Sequence, residues 1–450
     1  MGKKFKKILI ANRGETAVRV LRACREIGIE TVLVYSIADK DTLAVKLADY
    51  KVCIGEASSL DSYLNSYRIL STALLMEVDA IHPGIGYFAE SSEFSNLCKE
   101  CNITFIGPNS DIISKMGNKI QARKIAKACQ VPVVEGIDEP INSAEECISY
   151  IEKIGLPVIL KAANGGGGKG IRFVYSMDQV HSNLQLCRQE AASAFNNNDM
   201  LIERYISQAK HVEVQILADL YGNIIHLGNR ECSIQRCNQK IIEEARCCNV
   251  NPKTMDKLYR DAIKIGKEIG YVGPGTVEFL LLPDDTYYFM EMNTRLQVEH
   301  TITENITGID IVKEQIKIFE GNPLSYTQEQ VSFNGYSLEC RILAEDVKNN
   351  FRASCGEIQK WNMPGGYGVR VDTGFRSGDK ITPFYDSLLS KISCFAPTKA
   401  EAVRKMINCL DEVDIEGIET NVDFLKGIIK MKEFLNGDYN ISFLEQISNL

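Results

Sequence analysis

Four consecutive glycines, Gly165 to Gly168, stand between two short apolar segments and are followed by Lys169 and Gly170. Each glycine costs chain entropy and adds no side chain to a core, so packing does not explain the run. Its exposed backbone N–H groups suit close approach to a phosphate. A Walker A loop is excluded, because Lys169 is followed by glycine and not by Ser or Thr. The run indicates a hairpin that closes over phosphates, with Lys161 ending the preceding strand; a flexible surface loop is the alternative.

Two glutamates are placed to face each other across a predicted β-hairpin. The strands 276–282 and 286–292 flank a Pro-Asp-Asp turn, and this register sets Glu278 opposite Glu291. Like charges at facing positions destabilise a sheet, so we expect a hard divalent cation between them. Asn293 lies on the same face and adds an amide oxygen. The alternative, two solvated glutamates, is disfavoured by the apolar neighbours Val277, Phe279, Phe289 and Met290.

Carboxylate, amide and guanidinium groups crowd into residues 291–300. Glu291, Asn293, Arg295, Gln297 and Glu299 alternate with mostly apolar residues there. An arginine close to a glutamate suits anion binding together with removal of a proton. With Mg²⁺ and a phosphate loop nearby, this is the chemistry of an ATP-dependent ligase.

The elements that must position these residues change along the chain. The segments 7–11, 15–27, 31–35, 78–82 and 104–107 alternate strand and helix, which predicts a parallel, doubly wound α/β unit. Its first turn contains no GxGxxG, so no NAD site is assigned. From about Lys119 onward, a second unit is expected. It has strands at 156–163 and 171–175 around the glycine run and a helix at 178–195. From about Gly335 the pattern is mixed, with a strand at 336–342 and helices at the end.

The composition excludes several classes of protein. The 450 residues are 45% apolar and 24% charged, which predicts two or three packed domains. A net charge of -8 argues against a general binder of nucleic acid or anionic membranes. The apolar run 8–11 is too short for a signal peptide or a membrane span, so we expect a soluble, cytoplasmic protein. The 15 cysteines lack regular spacing, and the CxxC pair Cys98 and Cys101 is interpreted as structural.

Eight segments together resemble the biotin carboxylase family of ATP-grasp ligases. In chain order they are 10–15, 81–84, 106–108, 158–163 with the glycine run, 275–279, 291–300, 339–346 and 385–387. Segments 13–15 and 339–346 separate this family from other ATP-grasp ligases. The resemblance implies an α/β and α+β fold in three parts. These are an N-terminal doubly wound α/β domain (1–114), an ATP-grasp domain (115–332) with a mobile glycine-rich lid at about 133–205, and a C-terminal mixed α+β domain (333–450).

The resemblance also assigns the site residues by position. ATP would be bound by Lys119, Lys161, Gly167, Gly168, Glu203, Arg204, Tyr205, Ile206, His211, Gln235 and Asn238. The strand 203–206 would receive adenine through its backbone. Mg²⁺ or Mn²⁺ would be held beside the nucleotide by Glu278, Glu291 and Asn293. Bicarbonate would be bound by Lys240, Arg295, Gln297 and Val298, with Glu299 as general base. Arg341 would stabilise the enolate of biotin, so that the catalytic set is Lys240, Arg295, Glu299 and Arg341.

The implied activity is ATP- and bicarbonate-dependent carboxylation of biotin through carboxyphosphate. This is the first half-reaction of an acyl-CoA carboxylase, such as acetyl-CoA carboxylase. Residues 430–433 only superficially resemble a biotin attachment site, so we expect biotin to arrive on a biotin carboxyl carrier protein. Carboxyltransferase subunits are the other expected partners, and the resemblance implies a homodimer. No nucleic-acid or membrane partner is expected.

Three departures from the family pattern keep two alternatives open. Cys237 and Asn238 stand where the family usually has a basic residue and a histidine, and Arg246 and Cys355 stand where proline is common. Asparagine can form hydrogen bonds but carries no charge. The first alternative is another ATP-grasp carboxylate ligase. The second is a catalytically weakened nucleotide-binding scaffold subunit, against which speak Lys161, Lys240, Glu278, Glu291, Asn293, Arg295, Glu299 and Arg341.

Overall fold

The structure is a computed structural model that describes residues 4–164, 170–195 and 197–448. The glycine run lies outside the described residues, and so do the roles predicted for Gly167 and Gly168. Among the described residues, no helix has the length and apolar character needed to cross a membrane.

The N-terminal unit is a parallel sheet of five strands in the order β3-β2-β1-β4-β5. Ile8 and Ile10 pack into one apolar core and Leu9 into another, so both faces of β1 are covered. This confirms the predicted doubly wound unit. Its elements are β1 (Lys7–Ile10), α1 (Gly14–Glu26), β2 (Glu30–Ser36), α2 (Leu43–Leu47), β3 (Tyr50–Gly55), α3 (Ser66–Leu75), β4 (Ala80–His82), α4 (Ser92–Glu100), β5 (Thr104–Phe105) and α5 (Ser110–Gly117).

A smaller unit follows, with a three-stranded sheet in the order β7-β6-β8 and an apolar core of its own. Val158 pairs with Val174 in antiparallel register, which confirms a hairpin around the glycine run. The predicted strand 203–206 is too long, since β8 ends at Arg204 and the backbone N–H of Tyr205 donates to Pro157 O at 3.0 Å. The elements of this unit are α7 (Ala144–Ile154), β6 (Val158–Ala162), β7 (Ile171–Val174), α8 (Val180–Phe195) and β8 (Met200–Arg204). Before them in the chain comes α6 (Lys119–Ala128), whose Ala122 and Ala126 pack into a different core with residues of the large sheet.

The largest sheet has eight antiparallel strands in the order β13-β12-β9-β10-β11-β14-β21-β19. Its first five strands come from the middle of the chain. Those strands and the helices beside them are β9 (Lys210–Ala218), β10 (Ile224–Arg236), β11 (Gln239–Ala245), α9 (Pro252–Glu268), β12 (Gly273–Leu281), β13 (Tyr287–Asn293), α10 (His300–Thr307) and α11 (Ile311–Phe319).

The C-terminal region completes this sheet. Glu339 on β14 pairs with Glu243 on β11, so the sheet runs without interruption across residue 333. The bounds of the three predicted domains stay predictions. The elements are β14 (Tyr336–Leu343), β15 (Glu345–Asp346), β16 (Arg352–Ala353), β17 (Gly356–Glu357), β18 (Lys360–Asn362), β19 (Val369–Thr373), β20 (Lys380–Ile381), β21 (Leu388–Ala396), α12 (Lys399–Glu412), β22 (Asp414–Glu416), α13 (Val422–Ile429), α14 (Lys432–Asn436) and α15 (Phe443–Ser448).

The β12–β13 hairpin has the predicted register at its functional end. Glu278 pairs with Glu291. Near the turn, however, Leu281 pairs with Tyr287, which is one residue out of step with the first pair. A bulge between Glu278 and Phe279 reconciles the two registers. Because one extra residue turns a side chain to the other face, the bulge decides that both carboxylates point the same way.

A tight turn joins β10 to β11. Arg236 pairs with Gln239, so Cys237 and Asn238 alone form the loop. Both have left-handed backbone angles, φ 49° and 60°. A two-residue turn of this kind matches the twist of the strands, and asparagine tolerates it well. Both side chains are exposed. Asn238 therefore fits the backbone, and its predicted contact with ATP stays a prediction.

Candidate active site

Three glutamates stand side by side across the large sheet. Glu213 on β9 pairs with Glu278 on β12, and Glu278 pairs with Glu291 on β13. Lys240, from the start of β11, supplies the positive charge between two of them: its Nζ lies 2.6 Å from Glu213 Oε2 and 3.0 Å from Glu278 Oε1. The same Nζ donates to Glu299 Oε1 at 2.7 Å. One largely enclosed ammonium group thus connects two predicted site residues, Glu278 and Glu299, with Glu213, which was not predicted.

Arg341 approaches Glu299 from the neighbouring strand β14. Its terminal nitrogen lies 2.9 Å from Glu299 Oε2, and its Nε donates to Glu243 Oε1 at 2.5 Å. Glu299 and Glu243 are fully buried. Arg341 is therefore fixed between two carboxylates, one of which is the predicted general base.

The charges around Glu299 determine its protonation. Burial acts to raise the pKa of this carboxyl group, but Lys240, Arg341 and Arg230 hold it well below the ordinary range. Burial acts to lower the pKa of Lys240, but the charges of Glu213, Glu278 and Glu299 raise it, and Glu213 contributes most among them. Glu299 is consequently an anion and Lys240 a cation at neutral pH. An anionic carboxylate beside an anion-binding arginine is what removal of a proton from bicarbonate requires.

Glu278 and Glu291 differ sharply in their surroundings. Glu278 accepts hydrogen bonds from Asn293 Nδ2 at 2.7 Å and Gln297 Nε2 at 3.3 Å, and its Oε2 lies 2.9 Å from His211 Nε2. Although burial opposes it, Lys240 and His211 lower the pKa of Glu278. Burial and the facing charge of Glu278 instead raise the pKa of Glu291.

This pair of carboxylates fits a divalent cation. Two hard oxygen ligands face each other, and a bound cation would counter the burial and the facing charge that raise the pKa of Glu291. Asn293 differs from the prediction in one respect. Its amide nitrogen faces Glu278, while its Oδ1 accepts from Arg295 at 3.1 Å. The amide oxygen predicted for the metal is thus engaged by Arg295.

The segment after β13 gathers the residues predicted for bicarbonate. Arg295 donates to Gln297 Oε1 at 2.9 Å, and both side chains are largely enclosed. Behind the segment, the buried Lys391 on β21 donates to the carbonyl oxygen of Val298 at 2.6 Å and lies 3.2 Å from Glu15. Lys391 therefore fixes the peptide group that leads into Glu299.

Lys119 and Lys161 lie on adjoining elements. Lys119 is the first residue of α6, and its N–H donates to Ala163 O, just beyond β6, at 2.8 Å. Lys161 Nζ donates to Glu203 Oε2 at 2.6 Å, while Arg123 binds the other carboxylate oxygen at 2.6 Å. Lys161, predicted to bind phosphate, is paired with Glu203 here, and its ammonium group has two further N–H donors for a phosphate.

The remaining residues predicted to bind the nucleotide lie at the end of β8 and on β9 and β10 of the large sheet. His211 Nδ1 lies 2.6 Å from Gln235 Nε2, which confirms that these two predicted residues are neighbours. The backbone N–H groups of Arg204 and Tyr205 already donate to Glu135 O and Pro157 O. Adenine would therefore have to use carbonyl oxygens of this segment and the N–H of Ile206.

Glu243 and Glu339 form a second facing pair of buried carboxylates behind Arg341. Burial raises the pKa of Glu243 to about 7 and that of Glu339 to about 8, with the charge of Lys391 opposing the rise at Glu339. Thr301 Oγ1 donates to one oxygen of Glu339. Within the described residues, the other oxygen has no hydrogen-bond partner.

We expect this pair to make stability fall with rising pH. A carboxyl group with a higher pKa in the folded than in the unfolded protein binds more protons when folded. For Glu339 the free energy of unfolding therefore falls from about pH 4.5 to about pH 8. Glu339→Gln should flatten that fall, measured as urea unfolding midpoints across this range. The exposed Glu357→Gln is the control, and an unchanged slope in Glu339→Gln would contradict the assignment.

Four residues of the site were not predicted from the sequence. Glu90, Glu213, Glu243 and Lys391 contact Arg295, Lys240, Arg341 and Val298 respectively. They lie on separate elements, far from their partners in the chain. Glu213 and Glu243 could have been found from the polar residues that interrupt otherwise apolar strands, since a buried carboxylate requires a partner. No comparable signal marks Glu90 or Lys391.

Comparisons with known proteins define the class. Residues 4–113 match the family described as biotin carboxylase, N-terminal domain, and residues 339–446 match the biotin carboxylase C-terminal domain. Between them, residues 118–327 match the carbamoyl-phosphate synthase L chain, ATP binding domain. Fold and site together thus define an ATP-dependent carboxylase of the ATP-grasp type.

The relatives make the assignment specific. Biotin carboxylase 1 of Bacillus subtilis is 50% identical over 98% of each chain. The 2-oxoglutarate carboxylase small subunit of Hydrogenobacter thermophilus is 46% identical over 98% of this chain and 93% of its own. The crystal structure of the biotin carboxylase domain dimer from that carboxylase, with MgADP, ADP and bicarbonate, superposes with a TM-score of 0.97 at 45% identity, covering 99% and 98% of the two chains. The chain belongs to the biotin carboxylase family.

Proposed function

We propose that this protein carboxylates biotin with ATP and bicarbonate, through the residues that converge on Glu299. The observation that carries the proposal is the buried array in which Lys240 and Arg341 both bind Glu299, beside the facing pair Glu278 and Glu291. This array places a proton acceptor, an anion-binding group and a metal-binding pair within one enclosed region.

On the nucleotide side, Lys119 and Lys161 would bind the phosphates, and His211 and Gln235 would contact the nucleotide. Glu278 and Glu291 would hold Mg²⁺ or Mn²⁺, with Asn293 adjacent. The cation neutralises phosphate charge when bound. The lid, with Gly167 and Gly168, would exclude water, and that protects carboxyphosphate from hydrolysis.

Bicarbonate would bind between Lys240 and Arg295, assisted by Gln297 and the backbone of Val298. Glu299 takes the proton of bicarbonate, which turns a poor nucleophile into a good one. The bicarbonate oxygen then attacks the γ-phosphate of ATP, ADP leaves, and carboxyphosphate forms. Its breakdown to CO₂ and phosphate delivers the carboxyl group.

Arg341 would serve the acceptor. A biotin ureido group that has lost its proton carries negative charge on its oxygen, and a guanidinium is a natural partner for that oxyanion. Glu243 holds Nε of Arg341, so the guanidinium is oriented before biotin arrives. The phosphate released with CO₂ takes the ureido N–H proton, and the CO₂ then forms a bond to the ureido nitrogen.

The proposal also includes the proteins that present biotin and that receive the carboxyl group. We infer that biotin is presented on a biotin carboxyl carrier protein, that carboxyltransferase subunits complete an acyl-CoA carboxylase such as acetyl-CoA carboxylase, and that the chain forms a homodimer. Support comes from relatives that are subunits of larger carboxylases. Since one of them is a subunit of a 2-oxoglutarate carboxylase, the final acceptor could also be a keto acid.

The decisive experiment is ADP release by the purified chain with Mg-ATP and bicarbonate, with and without free biotin. Biotin-stimulated, bicarbonate-dependent release is expected. Release that depends on another carboxylate but not on biotin would indicate a different ATP-grasp ligase. Measurable ATP binding without release, even with a biotinylated carrier domain, would indicate a scaffold subunit.

A further inference from the structure

One carboxylate of the N-terminal unit reaches the segment predicted to bind bicarbonate. Glu90 lies between β4 and α4, two hundred residues away in the chain. Its Oε2 accepts from Arg295 Nε at 2.8 Å, and its Oε1 accepts from the backbone N–H of Thr294 at 3.2 Å. A single side chain thus holds both the guanidinium and the backbone from which it extends.

The other contacts of Arg295 are of a different kind. Its two terminal nitrogens donate to Gln297 Oε1 at 2.9 Å and Asn293 Oδ1 at 3.1 Å, both within two residues along the chain. Gln297 moves with the segment, and Asn293, the last residue of β13, holds one terminal nitrogen only. Glu90 belongs to another part of the fold, so it can fix the direction of the segment.

We propose that Glu90 is a positioning residue for bicarbonate binding, acting through Arg295 and Thr294. The inference rests on the proposed function. By holding Nε, Glu90 fixes the plane of the guanidinium, and the terminal nitrogen that donates to Asn293 keeps a second N–H for the anion. The negative charge of Glu90 itself repels bicarbonate. If Glu90 strengthens bicarbonate binding, it can therefore do so only by orienting Arg295. Its charge lowers the affinity for bicarbonate, and its orientation of Arg295 raises it.

The exposure of Glu90 makes the test practicable. Its side chain is 39% exposed, and that of Arg295 is 19% exposed. An ion pair this open to water contributes little to folding, so variants at position 90 should fold normally. Glu93, an exposed acidic residue in the first turn of α4, is a matched control because it lies only three residues further along the chain.

The experiment compares the KM for bicarbonate and for ATP in Glu90→Ala, Glu90→Gln and Glu93→Ala, using biotin-stimulated ADP release. We expect Glu90→Ala to raise the KM for bicarbonate about tenfold, the loss of roughly one charge-assisted hydrogen bond. Glu90→Gln should give a smaller rise, because its amide oxygen can replace one acceptor. The KM for ATP and the values for Glu93→Ala should stay unchanged.

A KM for bicarbonate that is unchanged or lower in Glu90→Ala would overturn the proposal, and so would an equal rise in the KM for ATP. Stabilisation of Tm by bicarbonate, measured on the same variants, needs no turnover. If the wild type is stabilised by bicarbonate but releases no ADP in response to biotin, the proposed function fails. The loss of that stabilisation in Glu90→Ala still decides the role of Glu90. A wild type that does not respond to bicarbonate at all overturns both.

Discussion

Glu299→Gln is expected to lower biotin carboxylation about 10²- to 10⁴-fold, the usual range for a lost general base. Gln has nearly the same shape, but its single amide oxygen can accept from only one of the two donors, Lys240 and Arg341, that bind Glu299. It cannot accept a proton. The loss should therefore appear in kcat for bicarbonate-dependent ADP release, with ATP affinity retained.

The surroundings of Glu299 also predict the pH dependence. Since Lys240, Arg341 and Arg230 hold the pKa of Glu299 well below its ordinary range against the effect of burial, the wild type should retain its base down to acidic pH. The control is Glu304→Gln. Glu304 lies on α10, and its ionic partners are Arg19 and Arg370, not the residues that bind Glu299. Turnover of Glu299→Gln at the wild-type rate would show that another group removes the proton.

Glu278→Gln is expected to raise the Mg²⁺ concentration for half-maximal activity on the order of tenfold or more, since weaker perturbations of metal sites already cost that much. The substitution removes one of two facing carboxylates and leaves Glu291 alone. It also removes an ionic partner of Lys240, which keeps Glu213 and Glu299. The half-maximal Mg²⁺ concentration should therefore change strongly, while the Tm should change little.

Asp284→Asn is the matched control for the metal site. Asp284 lies in the exposed turn of the same hairpin, and its side chain accepts from the N–H of Thr286, a contact that asparagine preserves. Its Mg²⁺ titration should match the wild type. An unchanged titration in Glu278→Gln would mean that the cation does not bind between Glu278 and Glu291.

Local patterns in the sequence were enough to predict the parallel N-terminal sheet and the facing pair Glu278 and Glu291. Alternation and turn chemistry act over a few residues, and both can be recognised without knowing the fold. The bulge beside Phe279 was not predictable, because two registers differing by one residue satisfy the same pattern near the turn. Resemblance to a family supplied the roles of Lys240 and Arg341.

Contacts between distant elements account for what was missed. Glu90 and Lys391 act on the segment 294–298 from the N-terminal unit and from β21, and no local rule connects positions so far apart. Lys161, which was predicted to bind phosphate, forms an ion pair with Glu203. This ion pair depends on the antiparallel pairing of β6 with β8. Such pairings follow from the assembled fold alone.

The unbroken sheet between β11 and β14 has a mechanical consequence. Lys240 and Arg341, which we propose bind bicarbonate and biotin respectively, are carried by adjacent strands, whose spacing in a sheet is about 4.8 Å. A hydrogen-bond ladder is stiff, so these two strands form a frame of fixed width, whereas the smaller unit has a separate core. In the proposed mechanism, the distance that CO₂ crosses before it meets biotin is thereby set by backbone geometry.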